Sequence, residues 1–296
     1  MTDLEQICNQ RDRHIATLRW PVEDYLRQFK ATDVLFYPNP GNAGDSLIAA
    51  ATFEAFSRAG VPIETAELDS PVEGHVVFLG GGGNLVPLYD NMKQAIERFL
   101  GRASKLVLLP HTIRGHEETL RTLDRTCTII CREPASYRHV RSTNPSVEVL
   151  LAHDMAFHLD TGRFLDDRKL QKEAEPVFLE KLKAANFDPQ KIQERPSMNF
   201  SRLDPESRRA SPVSDIDISF DFALGVGSGN AAVSAWCFLK AISLARHIAT
   251  DRLHVGIGAA LLGISCEFRD NTYGKNSAVY GHSMVGEFPS LRFIPD

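Results

Sequence analysis

The feature of this chain that most constrains its fold is a regular alternation of short apolar runs with longer amphipathic stretches between residues 34 and 151. Turn-forming residues bound each run, and a stretch of helical periodicity follows it. The pattern is typical of a parallel sheet covered by helices, and it predicts a doubly wound α/β domain. Strands are predicted at 34–37, 75–79, 105–109, 127–131 and 147–151, and helices at 46–59, 91–100, 115–123 and 134–141.

A second α/β pattern follows a charged segment. Residues 161–195 are charged and helix-favouring with few aromatic residues, which predicts a connecting helical segment. Beyond it, strands are predicted at 197–201, 246–249 and 264–268, and helices at 231–244 and 252–262. A chain of 296 residues is long enough for two cores. We therefore predict an N-terminal domain over residues 1–160 and a smaller C-terminal domain over residues 196–296, facing each other across a cleft.

Composition and charge argue against several classes of protein. The net charge of −5 and the pI near 6.1 lack the basic excess that nucleic-acid binding normally needs. Five scattered cysteines without a C-x-x-C pair indicate reduced, mostly buried thiols, and no histidine pair has a third ligand at metal spacing. The acidic start of the chain and the charges within its most apolar segment predict a cytoplasmic protein.

Two stretches place polar residues where a helix starts after a strand. Arg252 and His254 lie at the start of a predicted helix, where unpaired N–H groups favour an anion and an imidazole can exchange a proton. Residues 39–45, NPGNAGD, stand between an apolar run and a helix, which is the strand, glycine loop, helix order that holds anions or sugars. Asp45 is expected at the helix N-cap, either as a structural cap or as a base.

Other candidates follow the remaining strands. Arg132 ends the fourth apolar run and can hold a carboxylate or phosphate in a two-pronged contact, or form a surface ion pair with Glu133 or another neighbour. Arg202 has the matching position in the second domain, with the same two interpretations. Lys275 follows the last predicted strand as a further cation or as a solvated loop residue. The glycine run before Asn84 allows a tight turn or a close approach to a ligand.

Several well-known motifs are missing from the sequence. The stretch GVGSGN at 225–230 matches neither G-x-G-x-x-G nor G-x-S-x-G, and no glycine loop is followed by a Walker A lysine. These mismatches argue against a dehydrogenase, a kinase or a serine hydrolase.

Taken together, the motifs resemble those of the polysaccharide pyruvyltransferase family, and they occur in the family's order across almost the whole chain. The matching stretches are NPGNAGDSLI (39–48), FLGGGGN (78–84), LLPHTI (108–113), CREPASY (131–137), HDMAFHL (153–159), SRLDPES (201–207), TDRLHVGIGAALLG (250–263) and DNTYGK (270–275). The first and the last are the most specific. Two positions depart from the family pattern: His111 stands where Gln is expected, and Met155 where Pro is common.

The resemblance implies two Rossmann-like halves in a GT-B-like arrangement, and transfer of a pyruvyl group from phosphoenolpyruvate onto an exopolysaccharide sugar as a ketal. The implied acceptor is a lipid-linked repeat unit at the inner face of a membrane, with peripheral membrane association, and no metal or redox cofactor is expected. Carried over by motif, the catalytic residues are Asp45, Arg132, His254 and Lys275, the donor-binding residues are Arg202, Arg252, Gly81, Gly82 and Asn84, and the acceptor-binding residues are Asn42, Gly44 and Asp45.

Two other functions fit the same features. One is a glycosyltransferase that uses a nucleotide sugar, and binding of such a sugar without binding of phosphoenolpyruvate would select it. The other is a sugar- or phosphate-binding protein that binds its ligand tightly without turnover. In the transferase interpretation, His254 handles a proton and Asp45 orients or deprotonates the sugar, and the group that protonates the enol carbon stays open.

Overall fold

The computed structural model describes residues 3–210 and 212–295, with side chains from residue 10 onward. The helices are α1 (Asp3–Leu26), α2 (Ala43–Ala59), α3 (Asn91–Phe99), α4 (Glu117–Thr122), α5 (Pro134–Thr143), α6 (Thr161–Asp166), α7 (Arg168–Ala184), α8 (Pro189–Glu194), α9 (Ile218–Asp221), α10 (Ser228–Leu244), α11 (Leu253–Leu262) and α12 (Lys275–Ser283). The strands are β1 (Val34–Tyr37), β2 (Ile63–Thr65), β3 (Val76–Leu79), β4 (Gly82–Leu85), β5 (Lys105–Ile113), β6 (Cys127–Cys131), β7 (Glu148–Leu151), β8 (Met198–Asn199), β9 (His247–Thr250), β10 (Ser265–Arg269) and β11 (Leu291–Ile294).

The chain divides into two compact units. The N-terminal unit comprises Arg13–Pro40 and Ala51–His158. The C-terminal unit comprises the described residues through Asp12, the short segment Gly41–Ala50 and the chain from Leu159 onward. These ranges differ from the predicted domains because residues 41–50, early in the sequence, pack with the C-terminal half. The C-terminal unit has the smaller sheet, with four strands against seven, although it contains the greater length of chain.

The N-terminal unit is built on a parallel sheet with strand order β2-β1-β3-β5-β6-β7, and β4 also pairs with β5. Val34 lies beside Val76, and Tyr37 beside Leu79, in the register of β1 and β3. The strand order reverses between β1 and β3, because the chain passes first to one side of β1 and then to the other. In open parallel sheets such a reversal marks the usual ligand position at the carboxyl ends of the strands.

The C-terminal unit has a second parallel sheet, with strand order β11-β10-β9-β8. Its core is rich in aromatic side chains: Phe178 of α7 stacks on Phe222 and meets Trp236 of α10 edge to face. The segment 161–195, which the sequence indicated as a connecting segment, forms α6, α7 and α8, and α7 packs on α10 within this core.

Both units are α/β structures with parallel sheets, which confirms the predicted fold class; the predicted cleft between two domains stays a prediction. The five strands predicted in the first half all form, within one residue at their starts. Six elements within the described residues had no counterpart in the prediction: α1, β2, β4, α9, α12 and β11. The strand β4 arises within the glycine run.

The cysteine side chains that the structure describes, Cys127, Cys131, Cys237 and Cys266, are buried free thiols, whereas Cys8 lies outside the described side chains. Burial raises the pKa of Cys237 and of Cys266 to about 12, so these thiols stay protonated and poorly nucleophilic. None of the helices within 3–210 and 212–295 has the length and apolar character needed to cross a membrane.

Candidate active site

The start of α11 carries two of the predicted site residues. Arg252 is the N-cap of this helix, with φ −92° and ψ 120°, and its N–H donates to Thr250 Oγ1 at 3.0 Å. His254 is the second residue of the helix and is half-buried. On a regular helix, the side chains of near neighbours point in different directions. The N-cap residue is extended rather than helical, so this constraint does not apply to Arg252 and His254. The predicted placement at a helix start is confirmed.

Asp45 occupies the third position of α2 and not the N-cap, which corrects the prediction. The N-cap is Asn42, whose Oδ1 accepts a hydrogen bond from Gly44 N at 2.8 Å. Asp45 Oδ2 in turn accepts one from Asn42 N at 2.8 Å. This reciprocal pair is a capping box. It makes α2 begin at Ala43, three residues earlier than the apolar periodicity indicated.

His254 packs directly against the main chain of Gly44. A Cβ on Gly44 would lie 2.4 Å from His254 Nδ1 and 3.0 Å from Asn42 Oδ1, and real Cβ atoms do not approach other atoms that closely. Glycine is therefore required for the imidazole to rest on the first turn of α2. This contact, which lies within the C-terminal unit, brings the turn that carries Asp45 against His254.

Three cations follow consecutive strands of the C-terminal sheet. Arg202 comes after β8, Arg252 after β9 and Lys275 after β10, as the first residue of α12. All three are buried, with Arg202 5% exposed and the other two 7% exposed. Lys275 is thus not the solvated loop residue that was its alternative interpretation. Because the strands are parallel neighbours, their carboxyl ends and the three cations lie at one edge of the sheet.

A buried carboxylate, Glu206, joins two of these cations. Its Oε2 accepts hydrogen bonds from Arg202 Nη1, from Lys275 Nζ at 2.7 Å, from Asn271 Nδ2 at 3.0 Å and from Tyr273 Oη at 3.2 Å. Burial by itself would raise the pKa of Glu206, but the charges of Lys275 and Arg202 outweigh it and hold the pKa far below its usual range. Glu206 is therefore ionised at neutral pH.

Arg252 is held by two further carboxylates from the same loop region. Its Nη1 lies 3.3 Å from Asp204 Oδ2, and its Nη2 donates to Asp217 Oδ2. Asp204 also lies 3.2 Å from Arg202 Nε, so it bridges the two arginines. The cluster alternates cations with carboxylates, which lets three positive charges share a buried place.

The sequence did not identify the three carboxylates Asp204, Glu206 and Asp217. Asp204 and Glu206 belong to the SRLDPES stretch, and the spacing of Arg202 and Glu206 by four residues was a visible signal. Asp217 carried no such signal, because it lies 35 residues from Arg252 in the sequence.

Arg132 lies in the N-terminal unit, at the end of β6, and is fully buried. Its Nη1 is 2.7 Å from Asp154 Oδ2 and its Nε donates to Thr112 Oγ1 at 2.8 Å. Glu133, the alternative partner, instead caps α5 and pairs with Arg114 at 2.9 Å. The role of Arg132 in binding the donor stays a prediction.

A second polar group in the N-terminal unit consists of Asn39, which follows β1, Asn84 of β4 and His111 of β5. Asn84 Nδ2 donates to Asn39 Oδ1 at 2.8 Å, and His111 Nε2 lies 3.2 Å from Asn84 Oδ1. A Cβ on Gly81 would lie 2.7 Å from Pro110 O, and one on Gly82 would lie 2.4 Å from Asn39 Nδ2. These glycines are required by close packing of the protein itself, and their contact with a donor stays a prediction.

Comparison with known proteins decides the family. The family model described as polysaccharide pyruvyl transferase matches residues 42–266. This chain belongs to the polysaccharide pyruvyl transferase family. The matched range takes in the capping box of α2, the glycine run, Arg132, the carboxylate loop and the start of α11. Membership in this family indicates a pyruvyltransferase role.

Two individual proteins are similar over most of their length. EpsO of Bacillus subtilis (strain 168), which carries the name of a pyruvyl transferase, is 24% identical over 302 residues, covering 90% of this chain and 89% of EpsO. A solved structure of a functionally uncharacterised protein from Klebsiella pneumoniae subsp. pneumoniae is 27% identical, with a TM-score of 0.77, covering 94% of this chain and 98% of that one. The α/β fold described above is thus shared with an experimental structure.

Within the described side chains, no three His, Cys, Asp or Glu residues are grouped closely enough to hold a metal ion.

Proposed function

We propose that this pyruvyltransferase takes its pyruvyl group from phosphoenolpyruvate and attaches it to a sugar of an exopolysaccharide as a ketal, with release of phosphate. The observation that carries the proposal is the cation cluster of the C-terminal unit. Arg202, Arg252 and Lys275 lie at one sheet edge, and His254 begins the helix that Arg252 caps. A donor with a carboxylate and a phosphate requires several cations and a proton-transfer group together.

In the reaction that we propose, the methylene carbon of phosphoenolpyruvate is protonated, and a sugar hydroxyl then attacks the cationic C2. Phosphate leaves, and a second hydroxyl of the same sugar attacks C2 and closes the ketal. The two hydroxyl protons balance the one taken up by the methylene carbon and the one taken up by the departing phosphate. No oxidation state of the protein changes.

The C-terminal unit contains the types of side chain that these steps require. In our proposal Arg202, Arg252 and Lys275 bind the carboxylate and phosphate, and His254 transfers a proton. The half-buried carboxylate of Asp45, on the turn against which His254 packs, orients or deprotonates the sugar hydroxyl, with Asn42 and Gly44 beside it. Arg132, Gly81, Gly82 and Asn84 are the contributions that we assign to the N-terminal unit.

The acceptor that we propose is a lipid-linked repeat unit, met at the inner face of the membrane by a cytoplasmic enzyme associated peripherally with it.

The direct test supplies phosphoenolpyruvate with galactoside and glucoside acceptors, both free and lipid-linked. We expect release of inorganic phosphate in step with formation of an acid-labile ketal.

Replacement of His254 by Ala should reduce turnover by roughly 10²-fold or more, as loss of a proton-transfer group does. The matched control is His247→Ala, since His247 lies at the opposite end of β9, where its Nδ1 is 2.9 Å from Ser265 Oγ. Phosphate release that persists in His254→Ala would contradict the role of His254, and no turnover with any acceptor would contradict the proposal itself.

A further inference from the structure

We infer that His111 and Asn39 are positioning residues that fix the side-chain amide of Asn84 for contact with a substrate. The inference deepens the proposed function and rests on it. Three side chains and one main-chain carbonyl lie together at the place where the strand order reverses. Asn39 follows β1 by two residues, Gly81 follows β3, Asn84 belongs to β4 and His111 to β5.

The hydrogen bonds between these groups run in a single direction. Gly81 O can only accept, so Asn39 must present Nδ2 to it, at 3.3 Å. Asn39 Oδ1 then accepts from Asn84 Nδ2 at 2.8 Å. Asn84 Nδ2 also lies 3.5 Å from the carbonyl of Pro40, so two acceptors hold the amide nitrogen on that side. The oxygen of Asn84 is left facing His111.

The direction of this chain determines the tautomer of His111. Asn84 Oδ1 lies 3.2 Å from His111 Nε2, and an amide oxygen only accepts. A neutral His111 must therefore carry its proton on Nε2. A carbonyl oxygen of the main chain thus sets, through two amides, the protonated nitrogen of a buried imidazole.

The solvent exposure of the side chains shows which member of this series of hydrogen-bonded groups is available to a ligand. His111 is fully buried and Asn39 is 2% exposed, whereas Asn84 is half-buried. Both buried partners hold Asn84 from the protein side. The position is also the topological switch of the sheet, where substrates of doubly wound domains bind.

Gly82 supports the same conclusion independently. Its φ of +153° and the 2.4 Å distance from a built Cβ to Asn39 Nδ2 show that any side chain there would displace the Asn39 amide. That Cβ would also lie 3.4 Å from His111 Cε1. The glycine leaves room for the hydrogen-bonded chain itself.

The test is a double-mutant cycle on the purified enzyme with phosphoenolpyruvate and an acceptor. We expect Asn84→Ala to change the KM for one substrate by on the order of tenfold, and His111→Leu to change the KM for that same substrate to a similar extent. The double variant should be no worse than the poorer single variant. His111→Gln keeps an N–H donor for Asn84 Oδ1 and should stay within about threefold of the wild type. The matched control is His158→Leu, another fully buried histidine of this unit, whose loss should combine additively with Asn84→Ala.

A measurement without turnover separates this inference from the proposed function. Nitrogen chemical shifts of labelled His111 should show the Nε2–H tautomer in the wild type and a changed tautomer ratio in Asn84→Ala. Additive effects of His111→Leu and Asn84→Ala, an His111→Gln as impaired as His111→Leu, or an Nδ1–H tautomer in the wild type would each overturn the inference. A wild type that never uses phosphoenolpyruvate, but shows the expected shifts, would overturn only the proposed function.

Discussion

Gly44 is the second residue of α2, and the ring of His254 occupies the place where any other residue would carry its Cβ. In Gly44→Ala the new methyl group would displace the imidazole, while the helical backbone itself would accept alanine without strain. We expect turnover to fall at least roughly tenfold, with the free energy of unfolding changed by less than about 1 kcal/mol.

Kinetics and urea unfolding check this expectation. The matched control is Gly281→Ala, which adds a methyl group within α12 where no atom outside the adjoining helical backbone lies within 4 Å. A Gly44→Ala enzyme that is as active as Gly281→Ala would show that His254 does not need its observed position.

Glu206 holds Arg202 and Lys275 in the interior, so Glu206→Gln leaves two buried cations without their shared counter-charge. We expect a loss of about 3 kcal/mol of unfolding free energy at pH 7. The pKa of Glu206 is lowered in the folded protein, so its stabilisation is complete above the unfolded pKa of about 4.3 and declines as the pH falls below it.

The difference between the wild type and Glu206→Gln should therefore narrow below about pH 4, as followed by urea unfolding across a pH series. Glu267→Gln serves as control, because Glu267 pairs with Arg269 at a site about one-third exposed. Its effect should stay within about 0.5 kcal/mol at every pH. A Glu206 effect that is equally small would contradict the charge-bridging role of this carboxylate.

The sequence predicts Arg202, Arg252 and Lys275 as site residues, but it does not predict the carboxylates that hold them. Each of these three cations follows an apolar run, which is a local signal in the sequence. The pairing of Lys275 with Glu206 spans 69 residues, and no local pattern specifies such a contact. Asp45 shows the same limit on a smaller scale: the capping box depends on Asn42, and polar cap residues do not contribute to apolar periodicity.

At the scale of elements, α11 packs so closely on β10 that glycine is required between them. A Cβ on Gly256 would lie 2.9 Å from the ring of Phe268. Gly256→Ala should push the helix away from the sheet, costing about 1–3 kcal/mol and shifting Arg252 and His254 at the start of that helix.

Thermal unfolding and kinetics together test this expectation. Gly229→Ala in α10 is the control that alters only helix propensity, because no atom outside the adjoining helical backbone lies within 4 Å of its Cβ. Unchanged stability and turnover in Gly256→Ala would show that α11 has room to move.

The elements that the sequence predicted are those whose signal is contained in their own residues. β1, β3, β5, β6 and β7 are apolar runs between turns, and each forms where expected. β4 consists of Gly82, Gly83, Asn84 and Leu85, and glycine and asparagine have low strand propensity. The strand forms because β5 continues as far as Ile113 and offers it a partner. α1 is mostly polar and contains Pro21, which removes a backbone N–H from the helix interior, so its residues give only a weak helical signal.

At the scale of the whole molecule, the C-terminal unit is discontinuous in sequence. Its residues Ala43, Leu47 and Ile48 are buried, although they come from the first fifth of the chain. A fragment of residues 159–296 should therefore lack part of its core and fail to unfold cooperatively.

Urea unfolding followed by circular dichroism is the measurement. The control is the same fragment carrying residues 41–50 on a flexible glycine-serine linker, which should recover part of the cooperativity. Cooperative unfolding of the bare fragment would show that the segment Gly41–Ala50 contributes little to this unit.

Because the C-terminal unit is discontinuous in sequence, its parts leave the ribosome at widely separated times. The turn with Asn42 and Asp45 emerges early, but Gly225, whose carbonyl accepts from Ser46 Oγ at 3.0 Å, and His254, which packs on Gly44, are synthesised far later. At roughly 5–20 residues per second, this turn waits on the order of ten seconds or more for its partners. Leu47 and Ile48 are buried in the folded protein, so a nascent polypeptide that ends before residue 254 still exposes these two apolar side chains to solvent.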